Sequence, residues 1–217
     1  FVMLAAAYGV RAEIDGAAEL LHDSWQLMEA LFWDGEHGTY ADERDQSLNI
    51  LLPYRGQNAN MHAVEALLAA YESTREARYL DRAAIIAGKF TVTMTASTDG
   101  QIWEHYTTDW QHDWDYNIDK PDDLFKPWGY QPGHQVEWAK LILQLHRHRP
   151  EGWHLERACG LLDRAMEKGW DEVHGGLVYG YAPNGDFCDA DKYFWVQAEA
   201  IAAAWRLFSV TRSESYR

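Results

Sequence analysis

The sequence predicts an all-α protein built from antiparallel helical hairpins, and three observations carry that prediction. Three alanine- and leucine-rich segments, NANMHAVEALLAAYE, QPGHQVEWAKLILQL and YFWVQAEAIAAAWRL, align with one another and place Glu65, Glu137 and Glu199 at matching points. Two loops, FWDGEHGTY (32–40) and GWDEVHGGLVY (169–179), share Trp-Asp-x-x-His-Gly, with Trp33 and Trp170 separated by 137 residues. No stretch alternates strands with crossover helices, as a parallel α/β sheet requires. Recurrence at a fixed displacement marks a repeat architecture in which each unit buries its apolar face against its neighbours. Successive helical hairpins of an α/α toroid or solenoid satisfy all three.

Taken in order, the chain opens on FVMLAAAYGV, an apolar helical pattern with no capping residue in front of it. Helices are expected at 57–72, 132–147 and 193–207. They are rich in alanine and apolar almost all round, so they form the inner layer. Residues 76–95 and 153–168 are amphipathic instead, with Leu155, Ala158, Leu161, Leu162 and Ala165 on one stripe, and belong outside. The Trp-Asp-x-x-His-Gly loops, with their glycines and alternating Tyr and Val, are expected to close short β-hairpins. STDGQIWEHY (97–106) is a weaker copy midway between them. The closing TRSESYR repeats the TREARY of 74–79, where an outer helix starts. Residues 1–217 are therefore expected to form a single partial domain, about three to four hairpins of a larger closed toroid.

Composition narrows the function. At 217 residues and 47% hydrophobic, the chain can bury a sizeable core. A net charge of −15 works against an electrostatic grip on nucleic acid or an anionic membrane. No apolar run reaches the length of a membrane span, and no signal-peptide pattern opens the chain. Two cysteines give neither a disulfide framework nor a zinc ribbon, and a reduced, cytoplasmic setting is the expectation. Eleven tryptophans and twelve tyrosines exceed what such a core needs. Rings with polar handles pack helices together, and they also line sugar-binding clefts.

The inner helices carry titratable groups beside their apolar faces. His62 and Glu65 lie three apart, and His134 and Glu137 repeat the spacing, which puts each pair on one helix face. Pro132 and Gly133 set His134 at a helix N-terminus, where the dipole and free amides act on charge. Histidine titrates near neutral pH and suits proton transfer, and a carboxylate one turn away orients it or raises its basicity. Glu65, Glu137 and Glu199, with His62 and His134, are expected to converge on one pocket. For His62 and Glu65 a hydrogen-bonded structural role is the standing alternative. Zinc is the sharper rival chemistry, but His-x-x-Glu alone is a weak ligand pattern, and neither His-Glu-x-x-His nor Cys-x-x-Cys occurs. No metal and no cofactor are expected. The Asp-rich loop DWQHDWDYNIDKPDDLFKPWGY (109–130) lacks EF-hand spacing. Its Lys126, Trp128 and Tyr130 sit just upstream of His134, so it is expected to wall the pocket. His105 and His112 have no partner at convincing spacing and are assigned structural roles.

At GYQPGHQVEWAKL, YRGQNANMHAVEAL and YFWVQAEAIAAAW, the chain resembles the N-acylglucosamine 2-epimerase superfamily. Within it, PDDLFKPWGYQPGHQVEWAKLIL is most similar to aldose–ketose isomerases of the mannose and sulfoquinovose type. The resemblance spans essentially all 217 residues, with three motifs in the same order. It implies an (α/α)6 barrel, here partial, with a sugar pocket at its mouth and metal-free proton transfer through an enediol or enediolate. His134 matches a family catalytic histidine and Glu137 the acid that supports it. Arg55, Asn58, His62, Trp195 and Glu199 fall where the family holds or polarises the open-chain sugar. Phe194 stands where a second tryptophan is common, which leaves the preferred sugar open.

The resemblance also implies a second catalytic histidine in a last hairpin and a pocket arginine in a first hairpin, neither of which occurs here. The 217 residues alone are accordingly expected to turn over little or nothing. The expected partner is a monosaccharide, with no nucleic acid and no membrane; a homo-oligomer stays open. Rival readings are a 2-epimerase of the same superfamily, a glycoside hydrolase on an α/α toroid, and an inactive sugar-binding fragment.

Overall fold

A computed structural model describes all residues from Phe1 to Arg217. The chain divides into two compact units, one of Phe1–Lys89 with Tyr106–Gln111, the other of Phe90–His105 with His112–Arg217.

In the first unit, helices α1 (Val2–Arg11), α2 (Ala17–Leu31), α3 (Gln57–Thr74) and α4 (Ala77–Gly88) pack as hairpins, α1 against α2 and α3, and α3 against α4. α3 is the inner helix the sequence predicts. Met61, Val64, Leu67, Leu68 and Ala70 are fully buried on several of its sides, which its weak amphipathicity requires. α4 is shorter than the expected 76–95: regular helix ends at Gly88, followed by a π turn at Lys89–Thr93 and a 3₁₀ turn at Met94–Ser97. α1 approaches α2 closely, since a Cβ on Gly9 would lie 2.9 Å from the Ala17 Cβ.

The first Trp-Asp-x-x-His-Gly loop is a β-hairpin, with Trp33 opposite Tyr40 and Asp34 opposite Thr39. Asp34 accepts from the backbone N–H groups of Glu36 and His37 and pairs with the His37 ring at 2.7 Å. These contacts, with the imidazole, hold its pKa below the ordinary carboxylate range despite some burial. Gly38, at φ 73°, makes the reversal that other residues adopt only with strain. The motif is thus a turn device. The hairpin is anchored by Asn60 of α3, whose side-chain oxygen accepts from the Tyr40 N–H at 2.7 Å while its amide donates to the Tyr40 carbonyl at 2.8 Å.

In the second unit, α5 (Pro132–His148) packs against α6 (Gly152–Gly169) and α7 (Phe194–Thr211). Pro132 opens α5, where its missing N–H has no cost. α6 begins with a reciprocal cap between Glu151 and His154. Of its predicted stripe, Ala158, Leu161, Leu162 and Ala165 are buried and Leu155 is half-buried. Asp171 repeats the role of Asp34, accepting from the N–H groups of Val173 and His174 and pairing with the His174 ring at 3.1 Å. The side-chain amide clamp also recurs. Gln135 bridges Ile102 (2.9 and 2.8 Å), and Gln197 bridges Leu177 (3.0 and 2.8 Å). α3 and α7 even end alike, with Arg75 at φ 63° and Arg212 at φ 58°.

Replacing Asn60 with alanine strips both hydrogen bonds from the buried backbone of Tyr40. At about 1–3 kcal/mol for each buried group left unsatisfied, Asn60→Ala is expected to destabilise the fold by about 2–6 kcal/mol in urea unfolding, with a cooperative transition retained.

Candidate functional site

His134 is the chemical centre of the second unit. It is buried in the first turn of α5, and its Nδ1 lies 2.9 Å from the Oε2 of Glu104. The sequence reading missed Glu104. It lies 30 residues upstream, at a bend just before the strand His105–Tyr106, with none of the helical spacing that exposes a pair such as His62 and Glu65. Its placement is a consequence of the clamp. Gln135, the neighbour of His134, holds both backbone groups of Ile102, and Glu104 is two residues on, so the clamp anchors the chain beside the point where Glu104 meets His134.

Electrostatics follow from that geometry. Burial alone would push the His134 pKa down, because a charged imidazole loses its hydration. The Glu104 carboxylate, through charge and hydrogen bond, and Glu137, through charge, more than offset this and raise it above the ordinary value. A hydrogen bond from Nδ1–H to Glu104 also fixes the tautomer. It directs the lone pair to Nε2, the atom that then acts as base.

An aromatic wall stands beside this pair. The Trp195 ring lies 5.5 Å from the His134 ring, and the edge of Tyr179 meets Trp195 at 6.3 Å. Trp195 fits there because position 133 is glycine. A Cβ at Gly133 would lie 2.5 Å from the indole Cη2 and 2.8 Å from the Val196 Cγ2, well inside contact distance. Phe194, at the position open to exchange, is 96% exposed and takes no part in the wall. Burial, helped by the charge of Glu104, pushes the Tyr179 hydroxyl up to about 12, so it stays a neutral donor. That hydroxyl reaches the Leu124 carbonyl at 3.4 Å.

Residues 112–130 are pinned to an aromatic cluster centred on Trp103. The rings of Trp114, Trp128 and Tyr130 surround it at 4.7, 6.2 and 5.0 Å. The Trp128 indole N–H donates to the Trp114 carbonyl at 2.7 Å. His105 has the structural role assigned to it: it is buried, its Nε2 is 2.8 Å from the Pro127 carbonyl, and burial lowers its pKa. Lys126 is held through its backbone, by Asp123 and Asn117.

Further along α5, Glu137 and Glu199 meet through a residue the sequence reading did not single out. The Lys140 ammonium is 2.6 Å from the Glu199 Oε2 on α7 and 3.9 Å from the Glu137 Oε1.

In the first unit, His62 and Glu65 share a helix face as the spacing predicts, with Nδ1 3.1 Å from Oε2, both half-buried. Arg55 is buried at the entrance to α3, where its Nη1 donates to the carbonyls of Leu52 and Tyr54 at 2.7 and 2.8 Å. The buried Arg55 Nε and Asn58 Oδ1 have no protein hydrogen-bond partner. Buried polar atoms in that condition are where a ligand or ordered water binds.

A family model described as N-acylglucosamine 2-epimerase matches residues 1–217. A D-mannose isomerase of Marinomonas mediterranea is 49% identical over 217 residues, covering 100% of this chain and 55% of the relative. One from Thermobifida fusca is 38% identical over 220 residues, covering 54% of its length. The chain thus spans about half the length of these relatives. A crystal structure of a D-mannose isomerase superimposes with a TM-score of 0.97 at 49% identity, over 99% of this chain and 55% of that one. A cellobiose 2-epimerase from Spirochaeta thermophila gives 0.83 at 19%, over 99% and 53%, and a family 76 mannosidase from Bacteroides thetaiotaomicron gives 0.70 at 14%, over 99% and 55%. These last two show the fold alone. The all-α class read from the sequence, part of an α/α toroid, is the fold of these proteins.

Two outcomes test the local geometry. Glu104→Gln removes the charge that offsets burial, so the His134 imidazole is expected to titrate below its value in the unsubstituted protein, and below about 6.5 if burial then dominates. NMR titration of its ring protons measures this. Gly133→Ala is expected to drive the indole off His134, seen as loss of the ring-current shift on those same protons.

Proposed function

Because the chain belongs to the N-acylglucosamine 2-epimerase family, we propose that its His134 site interconverts an aldose and a ketose of the D-mannose/D-fructose type. The observation that carries this reading is the buried His134–Glu104 pair beside the Trp195 ring. Isomerisation begins with the open-chain sugar. The C2 proton beside the C1 carbonyl is weakly acidic, and a base must remove it. His134, with Nδ1–H held by Glu104, takes that proton on Nε2. The electron pair moves onto the C1 oxygen as the enediolate forms. The O2 hydroxyl proton passes to O1, and return of the proton held on the His134 imidazolium to C1, with O2 becoming the carbonyl oxygen, gives the ketose.

The remaining roles are proposed on the same basis. Glu104 orients the imidazole and stabilises the imidazolium. Glu137 adds negative charge near it. Trp195 offers an apolar face to the C–H surface of the sugar. Glu199 and Lys126 bind hydroxyls. Arg55, Asn58 and His62 hold or polarise the oxygens of the open chain, a role supported by the buried, unpartnered Arg55 Nε and Asn58 Oδ1. Positive charge near an oxygen that gains charge lowers the barrier to enolisation.

The assay uses a polypeptide that carries this sequence at the relatives' full length, incubated with D-mannose and with aryl glycosides. Fructose formation supports the isomerase. Glucose formation indicates a 2-epimerase, and phenol release from the glycosides a hydrolase. In that polypeptide His134→Gln keeps much of the imidazole's size but not its titration. Turnover is expected to fall by at least about a hundredfold, the lower range for general acid–base catalysis, with sugar affinity much less affected. Retained turnover with an unchanged circular dichroism spectrum would leave His134 a structural residue.

A further inference from the structure

Lys140 has no part in the reading above, yet its ammonium is the cation of the Glu137–Glu199 cluster. It is largely buried, with its side chain 14% exposed. It projects from α5 one turn beyond Glu137 and reaches across to α7. The contact with Glu199, at 2.6 Å, is a close ion pair. The 3.9 Å to Glu137 is an electrostatic contact only. One cation therefore links a carboxylate on the helix of His134 to a carboxylate on the helix of Trp195. A lysine buried to this extent is costly to desolvate and is seldom found without such a pairing.

We propose that Lys140 is a positioning residue that fixes the Glu199 carboxylate for hydrogen bonding to the sugar, and this rests on the isomerase reading above. A glutamate side chain has three rotatable bonds, and its ordering opposes ligand binding unless another group supplies the order beforehand. Lys140 supplies it by occupying Oε2, which leaves Oε1 to accept from a sugar hydroxyl. It also keeps two facing carboxylates from standing without a cation between them. Trp195 and Glu199 share a helix, so the clamp holds the registry of α7 against α5 at the level of the aromatic wall.

The test is a double-substitution cycle in the full-length polypeptide, reading KM and kcat for D-mannose, with melting temperature recorded throughout. Lys140→Met is expected to raise KM by about tenfold or more, equivalent to about 1.4 kcal/mol, while kcat falls by a smaller factor. Lys140→Arg, which keeps the charge, is expected to restore most of the affinity. In a Glu199→Gln background, Lys140→Met is expected to add little, within about twofold, because the group it positions is already altered. Additive effects of the two substitutions, or a lower melting temperature with KM and kcat unchanged, would overturn the proposal and leave Lys140 a packing residue. Failure of the unsubstituted polypeptide to bind or convert D-mannose would overturn the isomerase reading, and the role of Lys140 with it. Conversion with KM insensitive to Lys140→Met overturns the positioning role alone.

Discussion

A side-chain amide that holds both backbone groups of one residue is the contact on which much of this molecule depends. It occurs three times: Asn60 on Tyr40, Gln135 on Ile102 and Gln197 on Leu177. Only an amide can do this, because it carries a donor and an acceptor on one rigid plane. A carboxylate would leave the carbonyl unpaired, and an apolar residue would leave both groups unpaired. Each clamp ties a helix to a residue of a preceding loop or strand, so that this residue's backbone groups are satisfied without a full sheet. The segments are thereby registered to the helices, and their side chains fall at fixed positions along them. Glu104 reaches His134 because Gln135 reaches Ile102.

Charge is the second constraint. His134, Glu104, Glu137, Lys140 and Glu199 lie in one unit, linked in pairs by the contacts described. With the carboxylates ionised and the imidazole neutral, three negative charges face one positive charge; a proton on His134 reduces that excess. The surroundings therefore favour the state that follows proton abstraction. Burial makes each unpaired charge costly and each pair stronger than in water, so the balance is felt at His134 rather than screened away.

The helices were legible in the sequence because each depends on local periodicity. α3, α5, α6 and α7 lie within a few residues of the expected spans, and the weak amphipathicity of α3 correctly marked an inner helix. His62 and Glu65 were legible as a pair for the same reason, since three residues along a helix bring side chains together. Glu104 was not legible, because its contact spans 30 residues and originates in a segment with no period. The available signal was position: QIWEHY ends the weaker copy of the turn motif, and the other copies also contain a clamped residue. Trp-Asp-x-x-His-Gly marked hairpins, as expected. What its aspartate and histidine do is close a turn, and spacing could not distinguish that from chemistry. Lys140 lay three residues beyond Glu137, in plain view, but its principal partner is on another helix.

The likeness in fold to a family 76 mannosidase raises the question of whether Glu137 and Glu199 serve a glycosidic bond instead. A hydrolase of that kind needs one carboxyl protonated, to donate to the leaving oxygen, and a second ionised across the bond. The general acid is obtained by isolating a carboxyl from cations, in an apolar setting or beside another negative charge. Glu199 has the opposite surroundings. The Lys140 ammonium lies 2.6 Å from it and 3.9 Å from Glu137. Both carboxylates therefore stand beside one shared cation rather than isolated from cations. The group whose environment does favour taking up a proton is the buried imidazole. A scaffold shared with hydrolases here carries a buried histidine whose neighbouring carboxylates favour its protonated form.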